Sequence, residues 1–263
     1  MTSKEIIEYM ESLRNEEQRV NLMQFFKTQR PSDYGFGDQF LGIKNPQTHE
    51  VVKFSKDLPV EEVPTLLTSK WHEVRLCGFL ILVDRFERLA KKRLEHDGKA
   101  VLGRDNIIKM YLEHAEFANN WDLVDLSVQK ILGSWLLLPT TLGSADGKAD
   151  YNFDYKIELL DSLADSPCLW KQRMSIVCTS MPTRHGDPSW CLRYAEKHLT
   201  HPHDLMHKAV GWMLREVGEK VGYDLVRDFI MRHINDIPRT TLRYAIEKLG
   251  TDERQYWLNL PRK

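Results

Sequence analysis

Apolar residues recur at spacings of three and four positions along most of this chain, and that spacing restricts the folds open to it. It places apolar side chains on one face of an α-helix, whereas a half-buried β-strand alternates apolar and polar residues. Almost no segment shows such alternation, and the 14 glycines and 11 prolines that could interrupt helices are few among 263 residues. The sequence therefore predicts an all-α protein.

Helical segments recur with loose self-similarity along the chain. Three of them begin about 50 residues apart, at Trp71, Trp121 and Trp170. Two shorter ones follow over 205–217 and 239–249. Paired helices that bury their apolar faces only against their neighbours form an α-solenoid, and such a stack has a concave side. The pattern therefore predicts an α-solenoid.

The composition, 42% hydrophobic and 29% charged, is that of an ordinary globular chain with a core for one long domain or two short ones. The first residues are polar and no run near 18 apolar residues follows, so we expect a cytoplasmic protein without a membrane span.

The net charge of −1 does not decide for or against a nucleic-acid partner, because binding requires only a local basic surface. Four cysteines without a C-x-x-C pair indicate buried structural thiols.

Local signals predict the bounds of several segments. We expect Ser3 to cap a first helix and Asn15 to precede a second. The second helix is expected to direct three residues toward its core: Val20, Met23 and Phe26. Turn-forming residues predict a loop that crosses the surface over 34–46 and a second loop between helices over 181–188.

The stretch 119–125 is the most informative for function. If Asn120 caps a helix, Trp121 and Asp125 are four residues apart and share one face. A separate apolar stripe would pack this helix: Val124, Val128, Ile131 and Trp135. The face that carries the indole and the carboxylate is therefore available for a ligand.

Two further clusters have ordinary structural explanations. His203 and His207 could share a helical face as metal ligands, but no Glu completes an H-E-x-x-H pattern, and a surface or capping role is the better interpretation. Most tryptophans in helices pack in cores, and we assign four of the seven to the core: Trp71, Trp135, Trp190 and Trp257.

A third cluster combines an aromatic ring with basic groups. Lys208, Trp212 and Arg215 are at i, i+4 and i+7 on one predicted face, and Gly211 would let another surface approach closely. Arg173 follows Trp170 by three residues and could direct its guanidinium toward the concave side. Arginine suits phosphate because its planar fork donates two hydrogen bonds at once.

Three blocks of sequence, 120–125, 170–177 and 208–216, together resemble the AlkD-type DNA alkylation repair glycosylases. The segments 40–43 and 239–249 resemble the same family, in the same order along the chain. The resemblance implies one domain over 1–263, a curved stack of HEAT-like repeats that holds duplex DNA on its concave face. It also implies excision of positively charged alkylated bases, such as 3-methyladenine and 7-methylguanine, from DNA in which the lesion stays stacked.

Residue by residue, the resemblance places Trp121, Asp125 and Trp212 in a catalytic aromatic and acidic cluster, and Arg173 on the DNA backbone. We add Lys208 and Arg215 as DNA-binding candidates, although a solvated helix face would explain both. No lysine is placed as a Schiff-base nucleophile, so we expect a monofunctional, monomeric enzyme without a metal or cofactor.

The chemistry suits these side chains. An N3- or N7-alkylated purine already carries a positive charge and leaves without protonation, so catalysis requires mainly a carboxylate that stabilises the oxocarbenium-like sugar.

Two features depart from the family: the near-neutral net charge and the inserts over 91–104 and 138–151. The competing hypothesis is a non-catalytic HEAT-like scaffold that binds DNA or a protein on its concave face.

Overall fold

A computed structural model describes residues 1–261 of the chain. Across these residues the regular secondary structure is helical, with two isolated β-bridges and no β-strand, so the all-α prediction is confirmed. The internal contacts form two compact units, of which the first is Met1–Ser127 and the second begins at Val128. The curvature of the stack and the single domain over 1–263, whose last two positions lie outside the described residues, stay predictions.

The first unit contains seven α-helices and three short 3₁₀ turns. Its helices are α1 Ser3–Ser12, α2 Glu16–Phe25, α3 Asn45–Phe54, α4 Val63–Leu67, α5 His72–Leu89, α6 Gly98–Glu113 and α7 Trp121–Ser127. The 3₁₀ turns are Val60–Glu62, Lys92–Leu94 and Ala115–Phe117. Helix α5 lies at the centre of this unit, since it packs against α3, α4, α6 and α7.

In its described part, the second unit begins with a π-helical turn, Gln129–Gly133, and continues with further α-helices. These are α8 Ser134–Leu136, α9 Phe153–Ala164, α10 Leu169–Val177, α11 Ser180–Arg184, α12 Ser189–Lys197, α13 Asp204–Lys220, α14 Tyr223–Arg232, α15 Arg239–Ala245 and α16 Thr251–Asn259. Helix α13 packs against α10, α11, α12, α14 and α15 and is the central helix of this unit.

The first two helices differ in detail from the prediction. Thr2, and not Ser3, caps α1 through a complete capping box, whereas the Ser3 side chain is buried against Glu62. Asn15 caps α2 as predicted. The predicted core side of α2 is wrong at Val20, which is 40% exposed, because α2 buries none of its own residues and the buried Phe26 follows its last turn.

The predicted surface loop over 34–46 is wrong for its second half. Asp38 and the segment from Phe40 to Ile43 are buried. Buried backbone N–H groups require acceptors, and here the Glu73 carboxylate of α5 accepts three of them. Its oxygens lie 2.9 Å from the Leu41 nitrogen, 2.8 Å from the Gly42 nitrogen and 3.1 Å from the Ile43 nitrogen. A side chain distant in sequence therefore supplies the hydrogen bonds that a surface loop would receive from water.

A second loop prediction, over 181–188, is wrong at its start because Ser180–Arg184 forms helix α11. Pro182 lies near the beginning of this helix, where a missing N–H costs no hydrogen bond. The predicted apolar stripe is confirmed, since Val124, Val128, Ile131 and Trp135 are all fully buried.

The core assignments made from the sequence are largely confirmed. Trp135, Trp190 and Trp257 are buried, whereas Trp71 is only partly buried and donates its indole N–H to Glu11 at 2.7 Å. Three of the four free cysteines are buried, and burial raises the pKa of the Cys77 thiol to about 12. Over residues 1–261, no helix has the length and apolar character needed to cross a bilayer.

Candidate active site

Trp121 and Asp125 line the same cavity in the first unit, as their shared helical face predicts. The cavity has a volume of about 310 Å³, and its walls come from α2, the segment that leads into α3, and α7. Asn120 precedes α7, where its side-chain oxygen accepts the Trp121 N–H at 2.9 Å and its carbonyl accepts the Val124 N–H at 3.3 Å. The first turn of α7 is thus fixed at the residue that presents the indole.

Aromatic rings surround the Trp121 indole on the α2 side of this cavity. The Phe25 ring centroid is 5.8 Å from that of Trp121 in an edge-to-face arrangement, and the Phe26 centroid is 5.4 Å away. Phe25 is 63% exposed, and its ring extends the aromatic surface formed by Phe26 and Trp121. Its exposure beside a partly buried tryptophan indicates a surface suited to a flat apolar or cationic group.

The cavity also has an acidic character. Two carboxylates, of Asp122 and Asp125, line it together with one ammonium group, that of Lys44. Asp122 is 5% exposed, and its Oδ1 atom has no hydrogen-bond partner among residues 1–261. Aromatic faces beside carboxylates attract organic cations through the ring quadrupole and through charge, so the arrangement suits a positively charged planar ligand.

A buried histidine lies behind the cavity. His72 Nδ1 is 2.7 Å from Asp38 Oδ2, and its Nε2 is 2.9 Å from Asp122 Oδ2. Arg75 donates to the other Asp38 oxygen at 2.6 Å and to the Asn119 side chain at 2.8 Å. A chain of charged groups therefore connects α5, the buried segment after α2, and the first turn of α7.

The pKa values of this chain follow from its charges. Burial alone would lower the pKa of His72, but the carboxylates of Asp122 and Asp38 outweigh it and raise the pKa to about 9. For Asp38, burial raises the pKa, yet the His72 and Arg75 partners prevail and hold the pKa of that carboxyl below its ordinary value. His72 is therefore an imidazolium at neutral pH.

The remaining predicted site residues lie in the second unit. Arg173 of α10 is 5% exposed, and its Nη1 donates to the Leu205 carbonyl in the first turn of α13 at 2.7 Å. Helix α13 carries Lys208, which pairs with Asp204 at 2.8 Å, and Arg215, which pairs with Glu247. Trp212 on the same helix is partly buried.

Gly211 beside that indole allows a close approach, as predicted, but the approaching surface is part of the same unit. A Cβ atom at this position would lie 2.5 Å from the Thr241 carbonyl oxygen and 2.5 Å from the Tyr244 Cβ of α15. His203 caps α13 by accepting the Leu205 N–H at 3.1 Å, which confirms a capping role. Among residues 1–261, no three His, Cys, Asp or Glu side chains cluster as a metal site would require.

Sequence reasoning missed His72, Asp38 and Phe25, and it also missed the burial of Asp122. Asp122 lies in the first turn of α7, and its carboxylate is buried against His72. The sequence did contain a signal for the buried charges of α5. The stretch 72–75 places three ionisable residues at the start of a helix that is otherwise strongly apolar, and buried ionisable groups require partners.

Helical repeats and an aromatic, acidic cavity define a helical protein whose site suits an organic cation. The family model described as DNA alkylation repair enzyme matches residues 6–249. The chain therefore belongs to the DNA alkylation repair enzyme family.

One solved structure, described as "Predicted DNA alkylation repair enzyme from Enterococcus faecalis", is similar in fold with a TM-score of 0.61 at 16% identity. The similarity covers 90% of this chain and 97% of that one. No curated protein matches the sequence at a significant level.

Proposed function

We propose that this protein is a DNA glycosylase that excises positively charged alkylated purines, such as 3-methyladenine and 7-methylguanine, from duplex DNA. The observation that carries the proposal is that Trp121 and Asp125 line one cavity beside Phe25 and Phe26. This cavity offers aromatic faces and carboxylates to a cation, and alkylation at N3 or N7 is what gives a purine its positive charge.

Asp125 is the principal catalytic group in this proposal. It stabilises the positive charge that develops on the sugar as the glycosidic bond breaks, and it orients the attacking water. At about 4 Å and an effective dielectric constant near 20, one such charge pair is worth roughly 4 kcal/mol, or about three decades in rate. Trp121 and Trp212 contact the cationic base and deoxyribose, each with a cation–π contribution of roughly 0.5 to 2 kcal/mol.

In this proposal the protein binds DNA through contacts with the phosphate backbone, and the alkylated base remains stacked in the duplex. Arg173, Lys208 and Arg215 are the proposed backbone contacts of a monomeric, monofunctional hydrolase. Lys208 is the most exposed of the three, since its side chain is 40% exposed, whereas that of Arg215 is 18% exposed and Arg173 is 5% exposed. Affinity should therefore fall steeply as salt concentration rises.

The test is the release of free 7-methylguanine from methylated duplex DNA under single-turnover conditions. The wild type, Asp125→Asn and the exposed control Asp57→Asn are compared. We expect release by the wild type and the control, with a large loss in Asp125→Asn. No release by the wild type would leave the non-catalytic scaffold as the function, whereas equal release by all three would remove Asp125 from catalysis.

A further inference from the structure

We propose that His72 is a positioning residue for base excision, which acts through Asp122 and Phe26 to fix the Trp121 indole and the acidic wall of the cavity. The inference rests on the proposed glycosylase function. His72 is not among the residues that line the cavity, but it contacts two side chains that are, those of Asp122 and Phe26.

The geometry defines the charge of His72. Both ring nitrogens lie within hydrogen-bond distance of carboxylate oxygens, at 2.7 Å for Asp38 and 2.9 Å for Asp122. A carboxylate only accepts hydrogen bonds, so each ring nitrogen must donate one, and a ring with two N–H groups is an imidazolium. His72 thus holds a carboxylate on each side and is itself 2% exposed.

The imidazolium also supports the aromatic part of the cavity. The Phe40 ring stacks on it, with centroids 4.4 Å apart and planes 21° apart. The Phe26 centroid lies 5.1 Å from that of His72 and 5.4 Å from that of Trp121. Phe26 therefore contacts the buried cation and the indole at the same time.

Asp122 transmits the effect of His72 to the cavity. Its Oδ2 accepts from His72, its Oδ1 has no hydrogen-bond partner in the described part of the chain, and its neighbour in sequence is Trp121. The charged groups around His72 are Asp38 from the segment before α3, Glu73 and Arg75 from α5, and Asp122 from α7. If the imidazolium loses its proton, Asp122 loses the cation that pairs with its Oδ2 atom, and the buried carboxylates of Asp38 and Asp122 remain on either side of a neutral ring.

The experiment compares the wild type with Asp122→Asn across pH 6 to 9.5. The asparagine keeps an oxygen that can accept from His72 but removes the charge that holds the proton. Excision of 7-methylguanine is measured under single-turnover conditions, and the ring protons of His72 are titrated by NMR. The His72 signals are assigned by their absence in His72→Gln, and Asp57→Asn is the exposed control.

We expect wild-type excision to fall only as the pH approaches 9, and Asp122→Asn to lose activity at a pH at least one unit lower. The NMR midpoint of His72 should shift by the same amount, and DNA affinity should remain within about twofold at pH 7. Because Asp122 also lines the cavity, losing its carboxylate can by itself lower excision by one factor at every pH. A uniform loss without a shift in the pH profile would therefore overturn the proposal. A wild-type His72 that titrates near 6.5 would also overturn it.

Failure of the two proposals can be distinguished. No release by the wild type at any pH would overturn the glycosylase function and, with it, the role of His72. Release by the wild type with a uniform loss in the variant would overturn only the role of His72. If Asp122→Asn does not fold, as judged by circular dichroism, the same titrations are made on Asp38→Asn, which removes the charge at the other ring nitrogen.

Discussion

Glu73→Gln should destabilise the first unit by several kcal/mol, although it changes a single oxygen to nitrogen. The Glu73 carboxylate accepts the backbone N–H groups of Leu41, Gly42 and Ile43 at 2.8 to 3.1 Å, and its side chain is buried. Glutamine is uncharged and has only one oxygen, so it cannot accept all three bonds in this arrangement.

The magnitude follows from how the three bonds are shared between the two oxygens. Oε1 accepts from Gly42 and Ile43, and Oε2 accepts from Leu41. The most favourable amide orientation keeps the two bonds to Oε1, each weakened by about 1 kcal/mol once the charge is lost. The Leu41 N–H then faces an amide NH₂, and an unsatisfied buried donor costs about 1 to 3 kcal/mol. The sum is a loss of about 3 to 5 kcal/mol.

The assay is equilibrium urea unfolding of the wild type, Glu73→Gln and the matched control Glu61→Gln, whose side chain is exposed. The control should remain within about 0.5 kcal/mol of the wild type. A loss below about 1 kcal/mol in Glu73→Gln would refute the argument, because it would mean that water or a rearranged backbone satisfies the three N–H groups equally well. Ile43 lines the cavity, so we also expect the variant to weaken excision.

Three further predictions follow from other parts of the structure. Asp125→Asn should lower the single-turnover rate of 7-methylguanine release by about 10³-fold with little change in DNA affinity; a loss below tenfold would contradict a catalytic role. The pKa of His72 is raised from 6.5 to about 9, so its contribution to stability is full below pH 6.5 and is lost as the pH rises to 9. Urea unfolding should register a decline of about 3 kcal/mol over that range, and His72→Gln should abolish the decline. Gly211→Ala should lower the unfolding free energy by about 1 to 3 kcal/mol because its Cβ would meet the Thr241 carbonyl at 2.5 Å. The control Gly98→Ala should change it by no more than about 1 kcal/mol, because no atom of the described residues lies within 4 Å of a Cβ at this first position of α6.

The sequence alone determined the features that depend on local geometry. Helical periodicity predicted an all-α chain, and the starts of three helices lie within one residue of Trp71, Trp121 and Trp170. The common face of Trp121 and Asp125 follows from their four-residue separation, and both side chains line one cavity. The burial of the stripe from Val124 to Trp135 follows from the same periodicity.

Only the tertiary structure decided what lies behind that face. His72 lies between two carboxylates that are 34 and 50 residues away in sequence, and Glu73 accepts N–H groups about 30 residues before it. Periodicity indicates which face of a helix is buried, but it does not indicate which distant side chain supplies a hydrogen bond there. The segment 38–43 follows the turn-forming residues 34–37, and its backbone can be buried because one carboxylate of α5 accepts its N–H groups.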